Sequence, residues 1–302
     1  MSAVDSVELI LASAVRLAVP LAFAALGEWI AERAGTLNIS VEGMMLGGAF
    51  TAVAGAGLTG SASAGLLFGV AAGLLVAFVH ACFSHRLSVN TYVVGLTLNV
   101  LVLGLTSFLL LKTESRQVDK LTIPLLSDIP VIGPALFDQR WPAYLLAALV
   151  PAAWWLVRRS RWGLEARAAG ENPQSADVTG IDVNKRRRQA LMLCGALAGL
   201  GGAYLAVAEV GTFNQNMTAG RGYMVIAAVI FGGWTLRGTL AGVLVFGAAD
   251  AMRLALPALG YTLNPQFLVA SPYILALIAM TFFATTRRGP AALGRPFVRG
   301  IT

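Results

Sequence analysis

The sequence predicts an all-α, polytopic transmembrane bundle of about nine helices. Its 302 residues are 57% hydrophobic and only 12% charged, with a mean hydropathy of +0.73. Soluble domains carry roughly a quarter charged residues. Apolar runs recur along the chain, and a bilayer core takes roughly 20 such residues per helix. The basic residues are clustered, twelve of 22 falling in 158–188 and 287–299. The positive-inside rule accounts for that clustering, so the net charge of +7 points to a membrane face and not to nucleic acid. One transmembrane domain over 1–302 follows, with the polar segment 158–188 as its sizeable insert.

In chain order, the first span is 7–27. Asp5 and Glu8 stand where a cleaved signal carries positive charge, so the span is expected to be retained. Arg16 is alone in it and is expected to snorkel or to face a wet interior. The second span, 36–57, opens on the dense polar set of 35–43. In the third, 62–84, Gly65, Gly69 and Gly73 recur every four residues, a spacing that lets helix backbones approach closely. The fourth, 89–111, carries Asn99, which can hydrogen-bond across helices. The fifth, 142–157, is short; the sixth, 189–208, repeats the small-residue spacing at Gly195 and Gly199. The seventh, 222–236, is short again, and short Gly-interrupted elements mark non-ideal helices that line a cavity. In the eighth, 238–257, Gly238 and Gly242 share a face, and Asp250 and Arg253, three apart, neutralise one another. The ninth is 267–285.

Loop charge sets the orientation. Segment 158–188 carries eight basic residues, and the tail carries Arg287, Arg288, Arg295 and Arg299, so both are expected inside. Alternating backwards puts the charge-balanced loop 112–141 outside, Arg86 and residues 28–33 inside, and the N-terminus outside.

Polar side chains at membrane depth each need a reason. A second span beginning near Asn38 or Ser40 would present free N–H groups to a polar solute, with Glu42 one step deeper than a cap requires; ordinary N-capping is the alternative. The cluster 211–222 holds Asn214, Gln215 and Asn216, amides suited to a neutral hydroxylated solute or simply to a turn. It leads to Trp234, a pathway residue or an interfacial anchor. Cys82 and Cys194 read as small buried hydrophobes, and His80 and His85, five apart, do not match a metal-binding pair. No metal site is expected. The chain has no phosphate loop, no G-x-S-x-G elbow and no H-E-x-x-H pair, so hydrolysis of ATP is not expected of it.

Three ordered motifs resemble a known family. Gly27-Glu28 leads into Ala31-Glu32-Arg33-Ala34-Gly35-Thr36-Leu37-Asn38-Ile39-Ser40-Val41-Glu42-Gly43-Met44-Met45. Then come Ala168-Ala169-Gly170-Glu171-Asn172-Pro173 with Ala176 and Gly180-Ile181. Last are Asn216-Met217-Thr218-Ala219-Gly220-Arg221-Gly222-Tyr223 and Ala227 through Trp234. Together they resemble bacterial ABC-transporter permeases of the ribose and branched-chain amino acid superfamily, in the nucleoside branch. The Glu-Gly-Met-Met pattern is closer to that branch than to ribose permeases, and the extra first helix of the latter is lacking.

The resemblance implies a type II ABC importer permease. Such a chain binds no cofactor itself. It works with a cytoplasmic ABC ATPase that uses ATP and Mg, a second and longer permease, and an extracytoplasmic substrate-binding lipoprotein in the bacterial inner membrane. Coupling to the ATPase would fall on Arg167, Ala168, Gly170, Glu171, Asn172 and Gly180. The residues themselves agree locally, since 165–169 can form a short helix, Pro173 interrupts it and Gly180 ends the insert. The expected pathway set is Asn38, Ser40, Glu42, Asn99, Gln215, Asn216 and Trp234, for nucleosides or ribose-like sugars. Two rivals are an ion-coupled secondary transporter, with Glu42 and Asp250 as its relay, and a non-transporting scaffold whose loop binds a soluble protein.

Overall fold

The computed structural model describes residues 3–110, 120–122, 137–258, 264, 266–267, 270–271, 273–274, 277–278, 281 and 289–299. The helices are α1 (Ala3–Arg33), α2 (Val41–Thr59), α3 (Ala62–Ala81), α4 (Thr91–Phe108), α5 (Leu145–Arg159), α6 (Arg161–Glu171), α7 (Pro173–Val178), α8 (Val183–Ala203), α9 (Arg221–Phe231) and α10 (Leu236–Ala258). Five spans among the described residues are long and apolar enough to cross a membrane: Ile10–Arg33, Val41–Thr59, Ala62–Arg86, Thr91–Phe108 and Val183–Val210. Most of the expected ninth span, Arg287 and Arg288, and most of the loop 112–141 lie outside the described residues. What is described of that loop includes a short antiparallel ribbon, β1 (Lys120–Thr122) against β2 (Asp138–Arg140), in register Leu121 opposite Gln139.

The helix core is built from α1, α2 and α8, whose small residues pack around Phe23, Trp29, Met44, Met45, Leu191 and Tyr204. Helix α3 crosses α8 through Gly69 and Gly73 against Gly195 and Gly199, where any Cβ would strike backbone. The four-residue glycine spacing does serve close helix contact. Its outer face, with Leu67, Leu75 and Phe78 exposed, has the apolar character lipid requires. Both α3 and α8 end in π-helical turns, Cys82–Arg86 and Tyr204–Val210. The second of these carries Glu209, whose carboxylate lies 3.2 Å from Arg16 Nε. Arg16 is thus paired, not the lone cation expected from its position in an apolar run.

The seventh expected span is corrected. Helix α9 has 11 residues, about 16 Å of rise against a hydrocarbon core of about 30 Å. It cannot cross. The chain turns at Gly232 and Gly233 and packs straight back as α10, with Gly232 and Gly238 in backbone contact. The second span also starts later than expected, because 37–40 is non-helical and α2 begins at Val41.

Candidate functional site

The half-helix α9 begins against the first turn of α2, and its first N–H groups have no partner within the helix. Glu42, from the first turn of α2, supplies the acceptor. Its Oε1 accepts from Thr218 Oγ1 at 2.6 Å and from Gly220 N at 2.8 Å, and its Oε2 accepts from Gly222 N at 2.6 Å. A carboxylate at a helix N-terminus also complements the dipole. Gly222 lets the two helices meet, since a Cβ there would lie 2.5 Å from Glu42 N. Glu42 therefore caps α9, not its own helix, through two backbone N–H groups and a hydroxyl.

The start of α2 is handled by a neutral group. Ser40 stands at its N-cap without capping. Asn99 of α4 does that work: its Oδ1 accepts from Gly43 N at 2.8 Å, and its Nδ2 donates to Ile39 O at 2.8 Å and to Tyr223 Oη at 3.0 Å. Because Tyr223 belongs to α9, Asn99 and Glu42 tie both irregular helix starts to one node. Arg221 of α9 pairs with Asp250 of α10 at 2.9 Å, and Asp250 also takes Arg253 at 3.2 Å. The expected neutralisation of Asp250 by Arg253 is present, with a second arginine added.

Ser40 and Asn38 belong instead to a buried polar chain nearer the end of α1. Glu28 Oε1 accepts from Asn38 N at 3.0 Å, and Cys194 Sγ donates to Glu28 Oε2 at 3.3 Å. Asn38 Nδ2 reaches Cys194 Sγ and Met44 Sδ at 3.2 and 3.3 Å. Ser40 Oγ donates to Asn38 Oδ1 at 2.6 Å and lies 2.7 Å from His80 Nδ1. His80 Nε2 in turn lies 2.8 Å from Thr91 Oγ1, which donates to Leu37 O at 3.3 Å. The histidines link separate segments: His85 Nε2 sits 3.0 Å from Thr36 Oγ1 in the connection between α1 and α2.

Segments 33–37, 82–89, 160–188 and 289–297 meet on one face, the grouping expected from loop charge. Helix α6 is capped by Ser160, whose Oγ accepts from Gly163 N at 3.0 Å. Asn172 breaks it in extended conformation and caps α7 by accepting from Ser175 N at 3.0 Å. Gly180, at φ +86°, turns the chain away, a conformation that favours glycine. Glu165 of α6 holds Arg186 of α8, and that hydrogen bond keeps the carboxyl below its usual range. Gly170 is pressed against Arg33 O, where a Cβ has no room, and its own carbonyl accepts from Ala292 N at 3.0 Å. Gly294 N donates to Gly35 O at 3.0 Å. Arg187, 0% exposed, closes this clasp by donating to Arg295 O at 2.7 Å, Ala169 O at 3.1 Å and Ala292 O at 3.4 Å.

The expected coupling residues thus divide. Arg167 turns back to Gly163 O at 3.3 Å, Ala168 is half-buried, and Gly170 is packing. Glu171, Asn172 and Gly180 are exposed, beside Gln174, Ser175 and Val178 on α7. Val178 is 89% exposed, a large apolar side chain at the tip of the insert.

The expected pathway residues divide as well. Glu42 and Asn99 share the node, with Asn38 and Ser40 in the adjoining chain. Gln215 reaches Ser107 Oγ at 3.2 Å on the exposed side, and Asn216 sits exposed in a turn at φ +53°. Trp234 lies at the opposite end of α9, its Nε1 donating to Glu32 Oε2 at 2.5 Å and its carbonyl accepting from Trp29 Nε1 at 2.9 Å. It does not join the node. Sequence reasoning passed over Glu28 and Glu32 as site residues, although two acids one helical turn apart in an apolar run were a visible sign. It also passed over Arg187, hidden within a basic run that topology alone explained.

The family described as branched-chain amino acid transport system / permease component matches residues 10–285 of this chain. Among curated relatives, nucleoside ABC transporter permease protein NupC of Lactococcus lactis is 33% identical over 99% of both chains. Guanosine ABC transporter permease protein NupQ of Bacillus subtilis is 34% identical, again over 99% of both. A putative glucose ABC transporter permease protein, TsgC13 of Haloferax volcanii, is 34% identical over 95% of this chain and 94% of its own length.

Proposed function

Because this multi-pass membrane chain belongs to the branched-chain amino acid transport system / permease component family, we propose that it is the nucleoside-translocating permease subunit of an ABC importer. The cargo follows the relatives named for nucleosides and guanosine, which match it end to end. The importer sits in a bacterial inner membrane, with the N-terminus outside and the C-terminal tail inside. A separate ATPase supplies ATP and Mg chemistry, a second permease completes the translocation unit, and a binding lipoprotein delivers substrate.

The observation that carries the coupling role is the clasp. Helix α7 offers Val178 and its polar neighbours outward, while α6 behind it is locked by Gly170 and Arg187 to the end of α1 and to the tail. Force on α7 therefore reaches the 34–40 segment, then α2, and through Glu42 the start of α9. Alternating access needs two packed arrangements of such a unit, and ATP-driven closure favours one of them. Gly170 is a poor probe of docking, since any side chain there collides with Arg33 O. Val178 is 89% exposed and is the better one.

Against the ion-coupled reading, both carboxylates first assigned to it, Glu42 and Asp250, already hold internal partners. Its remaining foothold is the buried pair Glu28 and Glu32. Uptake of labelled nucleosides, glucose and ribose into vesicles holding the complete importer decides between these readings. The expected result is ATP-dependent nucleoside uptake that survives a protonophore and is lost in Val178→Asp at unchanged membrane insertion. Sugar uptake in place of nucleosides overturns the cargo, collapse by the protonophore overturns the energy source, and normal uptake by Val178→Asp overturns the docking site.

A further inference from the structure

Four basic residues in a row open α8, and the structure gives them different work. Arg186 is held by Glu165 and by Gln189 Oε1 at 2.8 Å. Arg187 is spent on the tail clasp. Lys185 and Arg188 have no ion-pair or side-chain hydrogen-bond partner among the described residues. They stand three apart on one helix face, with Cβ atoms about 5–6 Å from each other. Both line a groove of about 400 Å³ between α3 and α8, whose other walls are Leu74, Gln189, Met192, Leu193 and Ala196. The oxygen of Gln189 is already taken by Trp162 Nε1 at 2.9 Å and by Arg186, which leaves only its NH₂ as a donor toward the groove. From Lys185 to Ala196 the helix rises about 16 Å. The groove is thus apolar along its length, with Lys185 and Arg188 at the end nearer the start of α8.

We propose that this groove is a binding site for an anionic phospholipid, with the phosphate between Lys185 and Arg188 and an acyl chain along Leu74, Met192, Leu193 and Ala196. Charge complementarity selects the headgroup. Basic pockets between transmembrane helices recognise anionic lipid in this way, and two unpaired cations at a lipid-facing surface are otherwise left uncompensated. The apolar walls select a lipid over free phosphate, because a soluble anion gains nothing from Leu74 or Ala196. The lipid would lie against the crossing of α3 and α8, beside Arg187, and so would brace the clasp from outside. The site depends only on the chain spanning a membrane, and it stands or falls apart from the choice of cargo.

Native mass spectrometry of the full-length chain, released from detergent with phosphatidylglycerol and phosphatidylcholine at equal concentration, tests this. Wild type is expected to retain phosphatidylglycerol at least tenfold over phosphatidylcholine. Lys185→Gln/Arg188→Gln is expected to erase that preference. Arg158→Gln/Arg237→Gln, which removes the same charge from exposed positions on α5 and α10, is expected to keep it. Ala196→Trp, which fills the apolar end without touching charge, is expected to weaken retention by a similar factor. Equal retention of both lipids by wild type overturns the proposal, as does equal loss in the two double variants. Full retention by Ala196→Trp shows a headgroup or free anion alone and overturns the lipid. Crosslinking of Leu193 to another permease chain replaces the lipid with a protein partner.

Discussion

Glu42 and Arg187 are both charged and both nearly or wholly sealed from solvent, at 7% and 0% exposure, yet neither relies on a side chain of opposite charge. Glu42 is met by two backbone N–H groups and a hydroxyl at the start of a half-helix. Arg187 is met by three backbone carbonyls, two of them in the tail and one at the end of α6. One is an anion gathering donors that a broken helix leaves free. The other is a cation gathering acceptors that a non-helical tail leaves free. In each case irregular backbone inside a membrane protein is made tolerable by one ion, and the ion is made tolerable by the backbone. The difference lies in what each joins: Glu42 links two elements within the bundle, whereas Arg187 links the bundle to the insert proposed to meet the ATPase.

The comparison can be broken most severely at Glu42. Glu42→Ala leaves Thr218, Gly220 and Gly222 without an acceptor, and a loss of about 3–5 kcal/mol is expected, as for removal of one member of a buried charged set. Denaturation of the purified chain in detergent measures it; a loss below about 1 kcal/mol would mean that water already serves α9. Arg187→Met comes next, with an expected loss of about 2–4 kcal/mol, because three carbonyls are orphaned but a desolvated charge is also removed. Its distinctive sign is faster proteolysis of the tail at Arg295 with the bundle intact. Arg187→Lys should restore protection only in part, since one ammonium cannot spread to carbonyls the guanidinium reaches from two nitrogens. Smallest is Asn99→Leu, about 1–2 kcal/mol, which strips a neutral amide from Gly43 N and Ile39 O. If Asn99→Leu costs as much as Glu42→Ala, charge is not what distinguishes the two helix starts.

Parts of this arrangement were readable in one dimension. The short apolar run at 222–236, bounded by glycines, pointed to a non-ideal helix, and it is one: α9 ends at Phe231 and cannot cross. Pro173 and Gly180 marked the break and the end of the insert through their own backbone preferences. Glu42 was recognisable as an oddity, one step deeper than a cap requires. The partner of Trp234 was not readable, because an indole N–H looks the same on a pathway as on a carboxylate such as Glu32. Arg16 looked solitary because its partner, Glu209, lies at the far end of another span.

Hydropathy, the spacing of small residues and the clustering of charge are sums over neighbouring positions, and they determined the membrane bundle, its close helix crossings and the polar insert. Which buried polar group meets which is a matter of segments far apart in the chain. Glu42 is separated from Gly220 by 178 positions and Arg187 from Arg295 by 108. A buried charge must be satisfied by something, but composition states only that demand. Only the packed structure, by bringing particular backbone groups within 3 Å, decides what answers it.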